Sequence, residues 1–123
     1  MTTNKILPSD LTKLIVEGIQ ELKGKKITLI DLSNIDSTAA REFVICQGTS
    51  TTQVAAIADS VRDYLLEHAR TKPYNYDGYA NSSWIVVDYG SVLLHVFLPD
   101  ERLRYNLEEL WSDGIITEIP DLD

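Results

Sequence analysis

The stretch WIVVDYGSVLLHV, from Trp84 to Val96, constrains the fold more than any other part of the chain. Side chains alternate across a strand, so the two apolar runs around Tyr89-Gly90 read as a β-hairpin. With Tyr89 and Gly90 as a two-residue turn, Asp88 faces Ser91, Val86 faces Leu93 and Trp84 faces His95. One face then holds Trp84, Val86, Asp88, Ser91, Leu93, His95 and Phe97. The other holds Ile85, Val87, Val92, Leu94 and Val96, is purely aliphatic, and must be core. The mixed face suits a partly solvated sheet or a contact surface. Gly90 supplies the positive φ that tight hairpin turns demand.

The rest of the chain supplies the elements that such a hairpin packs against. PSDLTKLIVEGIQELKG places Leu11, Leu14, Ile15, Gly18, Ile19 and Leu22 on one helical stripe. KITLIDL and EFVICQ read as strands, the second as an interior one. Ser50-Thr51-Thr52-Gln53 has the spacing of a capping box. The helix behind it carries the stripe Val54, Ile57, Ala58, Val61 and Leu65. A short edge strand is expected around Tyr74 to Tyr76. After the hairpin, Pro99 and Asp100 open a last helix, DERLRYNLEELW, with Leu103, Leu107, Leu110 and Trp111 at helical spacing. This order predicts one α/β domain, residues 1–112, with a mixed sheet of four or five strands packed with helices. Residues 113–123, DGIITEIPDLD, read as an acidic tail, poorly ordered apart from a few apolar residues.

Composition narrows the function. At 123 residues the chain has the length of one compact domain. No apolar run approaches the ~20 residues of a membrane span. The opening MTTNKILPSD lacks the regions of a signal peptide. The single cysteine, Cys46, lies in an apolar run and reads as a buried, inert thiol. These features point to the cytoplasm. A net charge of −8 argues against broad nucleic-acid binding, which needs Lys and Arg to neutralise phosphates, and suits a basic partner.

Catalysis finds little support in the residues. GTS after a strand and before a helix resembles the phosphate loop of nucleotidyltransferases. Those enzymes need paired carboxylates on the next strand to hold metal, and WIVVDYG offers only Asp88. Asp59 and Asp63 fall within a helix and do not replace the pair. Helix capping explains GTSTTQ without a metal. Two unlinked histidines, His68 and His95, make no metal site, and no nucleophile elbow is present. Trp84 with His95 reads better as a packed contact pair. Tyr105 falls off the last helix's core stripe. Exposed beside Arg102, it would resemble an interface hot spot, where Trp, Tyr and Arg are enriched.

The pieces IDL, FVICQGTS, VAAIAD, WIVVDYGSVLLHVF and RYNLEELWSD, in that order, resemble the ribosomal silencing factor family, also called RsfS or Iojap. The resemblance implies a nucleotidyltransferase-like α/β fold without the catalytic acids. It implies a non-enzymatic protein that binds the large ribosomal subunit through its fourteenth protein and sterically blocks joining of the small subunit. It also implies a link to ribosome biogenesis and a homodimer when free, with no cofactor, no metal, no membrane and no sequence-specific nucleic acid. Carried onto this chain, the family's contact surface falls on Trp84, Asp88, Tyr89, His95 and Tyr105. Trp84 would be the apolar anchor, Asp88 a partner for a basic group, and Tyr89 an apolar contact at the turn tip. Tyr105 would add to that contact from the last helix, and His95 would contact the partner or position Trp84. Two other classes stand beside this one: a nucleotidyltransferase, which metal-dependent turnover would reveal, and a general assembly protein.

Overall fold

The computed structural model describes residues 8–36 and 38–122. Its elements run α1 (Pro8–Glu21), β1 (Lys25–Asp31), β2 (Glu42–Gln47), α2 (Thr51–Ala69), β3 (Asn75–Asp77), β4 (Trp84–Asp88), β5 (Val92–Phe97), α3 (Pro99–Tyr105), α4 (Leu107–Leu110) and β6 (Ile115–Ile119). The strands form one sheet in the order β3-β4-β5-β2-β1-β6. β2 and β5 pair in parallel, with α2 in the crossover between them; the other neighbours among the described residues are antiparallel. The α/β class therefore holds, with six strands rather than the four or five expected.

The helix stripes behave as their spacing predicts. Val54, Ile57, Ala58, Val61 and Leu65 of α2 are fully buried, as are Ile15 and Ile19 of α1. They pack on the aliphatic sheet face formed by Ile85, Val87, Leu94, Val96, Val44 and Cys46. The two helices approach closely at Gly18, where an added Cβ would lie 2.9 Å from the Val61 Cα. Ser50 Oγ caps α2 by accepting from the Gln53 amide at 3.1 Å. The reciprocal bond of the capping box shifts by one residue. Gln53 Oε1 takes the Thr49 amide at 2.7 Å instead of the Ser50 amide. The GTS loop thus serves the helix start. Cys46 is fully buried and its thiol is pushed up to about 12 by desolvation, the inert state expected.

Two expectations are corrected. Residues 115–119 do not trail away as a tail: they pair with β1 from Asp31↔Ile115 to Ile27↔Ile119. Backbone pairing with β1 carries this strand into the sheet, and its own residues stay exposed except Ile119, which explains the weak sequence signal. Asp123, the last residue of that expected tail, lies outside the described residues. The last helix is also not continuous. It breaks at Asn106, whose backbone is left-handed (φ 46°, ψ 58°), so Leu103 and Leu110 are 78% and 70% exposed while Leu107 is buried.

Candidate functional site

The hairpin keeps its faces but not its register. Trp84 pairs with Phe97, Val86 with His95 and Asp88 with Leu93. This is two positions from the expected pairing. An even slip leaves every side chain on its own face. The turn moves on to Gly90 and Ser91. Gly90 takes φ +84°, and its amide donates to Asp88 Oδ1 at 2.7 Å. Asp88 thus spends one oxygen closing the turn, the local bonding that Asp favours in such positions.

Tyr89 is corrected outright. Because the turn lies beyond it, Tyr89 continues the parity of Ile85 and Val87 and enters the helix-side core. It is 4% exposed, and its hydroxyl is buried without a partner among the described residues. Burial pushes its phenol up. Gly90, not Tyr89, forms the exposed tip.

The opposite sheet face carries a row of aromatic rings. Trp84 stacks on Phe97 with centroids 5.0 Å apart, and Tyr105 of α3 lies 4.5 Å from Trp84. The Trp84 indole N–H donates to His95 Nδ1 at 3.2 Å. His95 meets Phe43 edge-on at 4.8 Å, and Phe43 meets Trp111 edge-on at 5.7 Å. Ile30, Leu32, Ile45, Phe97 and Leu107 are buried beneath these rings. Trp84, Phe43 and Trp111 remain partly exposed, as do Val86 and Leu93, and Tyr105 is 45% exposed. The short α3 and α4 therefore cover this face only in part.

Of the five expected contact residues, the structure brings together Trp84, His95 and Tyr105. Asp88 shares their face at the far end of β4, partly exposed. His95 is 6% exposed and lies beneath the surface. Burial pushes its imidazole down to about 4, so at neutral pH the ring is uncharged and accepts from Trp84. Arg102 is not an exposed hot-spot cation. It is buried beneath α3 and bonded to Glu108, Thr28, Gln47 and the Lys26 carbonyl. Phe43 and Trp111 are added to the face. The signal for Phe43 was its two-residue offset from Ile45, which puts both on one face of β2. For Trp111 it was the four-residue offset from Leu107.

Among the described residues, no group of three or more His, Cys, Asp or Glu is placed to hold a metal ion. None of their helices is long and apolar enough to cross a membrane. What the face offers is apolar ring surface, one carboxylate and little else.

Residues 6–123 match the family model described as ribosomal silencing factor during starvation. The chain belongs to the ribosomal silencing factor family. It is 34% identical over 110 residues to a ribosomal silencing factor of Halalkalibacterium halodurans, spanning 89% of this chain and 92% of that one. A crystal structure of a Chromobacterium violaceum protein superposes with a TM-score of 0.82 at 34% identity, covering 87% of this chain and 88% of the other. A mouse protein named for mitochondrial assembly of the ribosomal large subunit is 39% identical over 72 residues, 57% of this chain and 32% of that one. Within the ribosomal silencing factor fold, then, the aromatic face is set by β2, β4, β5 and the two short helices.

Proposed function

We propose that this chain binds the large ribosomal subunit through its fourteenth protein and, by its bulk, blocks joining of the small subunit. Translation is repressed without chemical turnover. Trp84 and Tyr105 supply the apolar contact, Asp88 offers its remaining carboxylate oxygen to a basic group, and His95 acts from below by holding the indole. The observation that carries this reading is the partly exposed ring surface of Trp84 and Tyr105 in a member of this family, since aromatic anchors of this kind dominate protein interfaces. The net charge of −8 suits a basic ribosomal partner. A homodimer of the free protein and a contribution to large-subunit biogenesis belong to the same proposal, the latter in line with the name of the mouse relative. All of this would act in the cytoplasm.

A subunit-joining assay tests it. Purified large subunits are incubated with the protein before small subunits are added, and joined ribosomes are separated on a gradient. Dose-dependent loss of joined ribosomes, relieved by Trp84→Ala in a protein that remains folded, is the expected result. Undiminished joining at saturating wild-type protein contradicts the proposal.

A further inference from the structure

One buried side chain spans the break in the last helix. Arg102 sits one turn before Asn106, and its side chain is only 10% exposed. Nη1 donates to the Lys26 carbonyl at 2.7 Å and to Gln47 Oε1 at 3.2 Å. Nη2 donates to Thr28 Oγ1 at 2.9 Å. Nε and Nη2 both donate to Glu108 Oε2, at 3.0 and 2.7 Å. A guanidinium has five N–H donors in a fixed fork, and these bonds engage all of them. No donor is left for a ligand, so this cation serves the protein itself.

The partners come from separate elements. Lys26 and Thr28 lie on β1, Gln47 on β2 and Glu108 on α4, beyond the break. The contact with Lys26 falls at an irregular point of β1, where Lys26 has φ 56° and the register to β2 shifts. Arg102 thereby bonds α3 to α4 and to the sheet. The arrangement has a visible consequence. Tyr105 ends α3 and packs on Trp84, while Trp111 follows α4 and packs on Phe43. On a continuous helix, residues six apart point roughly 120° away from each other. The break lets both rings join one row, whose inner members Trp84 and Phe43 meet through His95.

We propose that Arg102 and Glu108 are positioning residues of the contact face: their ion pair latches α3 to α4 across Asn106 and so holds Tyr105 on Trp84 and Trp111 on Phe43 together. The role in binding rests on reading that face as the ribosome contact; the latch itself does not.

Two variants test it. Glu108→Gln weakens the tie to α4 and leaves the other Arg102 bonds in place. Arg102→Met with Glu108→Met removes both charges, which avoids stranding one of them in the interior. Three readouts are taken: amide hydrogen exchange, tryptophan emission, and cosedimentation with purified large subunits. Exchange across residues 103–111 should speed by about ten-fold while α2 is unchanged, the mark of local rather than global opening. Emission should shift to the red as Trp111 leaves Phe43, and binding should weaken by about ten-fold. Unchanged exchange and emission in both variants overturn the latch. A loosened α3–α4 with wild-type binding overturns its role in the contact. Wild-type protein that fails to sediment with large subunits sinks the functional reading instead, and exchange and emission still decide the latch.

Discussion

Trp84 and His95 sit on neighbouring strands two positions out of direct register, yet the indole N–H of Trp84 reaches His95 Nδ1 at 3.2 Å. The bond requires an unprotonated Nδ1, which puts the ring proton on Nε2. Nε2 is buried without a partner among the described residues. A charged ring would lose the Trp84 bond and place a cation under a cluster of aromatic side chains. Trp84, which packs on both Phe97 and Tyr105, is thus held by a histidine that must stay neutral.

This makes stability depend on pH. Desolvation by burial lowers the folded His95 pKa to about 4 from the ordinary 6.5. Between these values the unfolded chain holds more protons, so stability rises with pH across that window. The contribution of neutral His95 is full above about pH 6.5 and is lost as the pH falls towards 4. The slope is at most about 1.4 kcal/mol per pH unit. Urea unfolding of wild type and His95→Phe between pH 7 and 4.5 measures it. The difference between the two proteins should shrink as pH falls; a constant difference counts against this state of His95.

Trp84 variants separate the ring from its N–H group. Trp84→Phe keeps an aromatic on Phe97 and Tyr105 but strands His95 Nδ1, with an expected cost of about 1–3 kcal/mol. Trp84→Ala also loses the stacking. Because Trp84 is partly exposed, its cost should sit at or below the about 3–5 kcal/mol of a fully buried tryptophan. Denaturant unfolding should rank wild type, then Phe, then Ala.

Gly18→Ala decides whether helix propensity or packing rules at the α1–α2 crossing. At a roomy site the change would stabilise by about 1 kcal/mol. Here the new methyl meets the Val61 Cα at 2.9 Å. Separating the helices should cost about 1–3 kcal/mol. A lowered melting temperature is expected, and a raised one would show that the helices part freely.

Ending the chain at Asp113 removes β6 and leaves β1 as a bare edge. Ile27 and Ile30, now about fully buried, would lose their β6 neighbours Ile119 and Ile116. An unprotected apolar edge invites pairing with other chains. The truncated protein should melt earlier and self-associate on size exclusion. Unchanged stability would mean that β6 contributes little to the sheet.

The parts of the fold legible in the sequence were those with a strong period. The stripe from Val54 to Leu65 and the alternation from Ile85 to Val96 each put their residues on the buried side. Faces survived even where register did not, because period-two patterning cannot distinguish slips by two; the turn chemistry of Gly90 and Asp88 decided that. β6 was missed because a half-covered edge strand has no clean alternation. Leu103, Leu107 and Leu110 fit one continuous helical stripe, although the helix breaks at Asn106. Three of the buried bonds of Arg102 go to β1 and β2, far away in the chain, and leave no local signal. The side on which Tyr89 lies follows from the same register, since it depends on where the turn begins. The offset of Phe43 from Ile45 gives its face on β2, but the parallel β2–β5 pairing that sets it beside His95 is non-local and has no local pattern.

The proposed binding of the large ribosomal subunit by the aromatic face is decided by cosedimentation of wild type and Trp84→Ala with purified large subunits, at low and high salt. Wild type should pellet with the subunits at both salts, more weakly at the higher, while a folded Trp84→Ala stays in the supernatant. Equal pelleting of the two proteins, or none by wild type at either salt, would contradict the account.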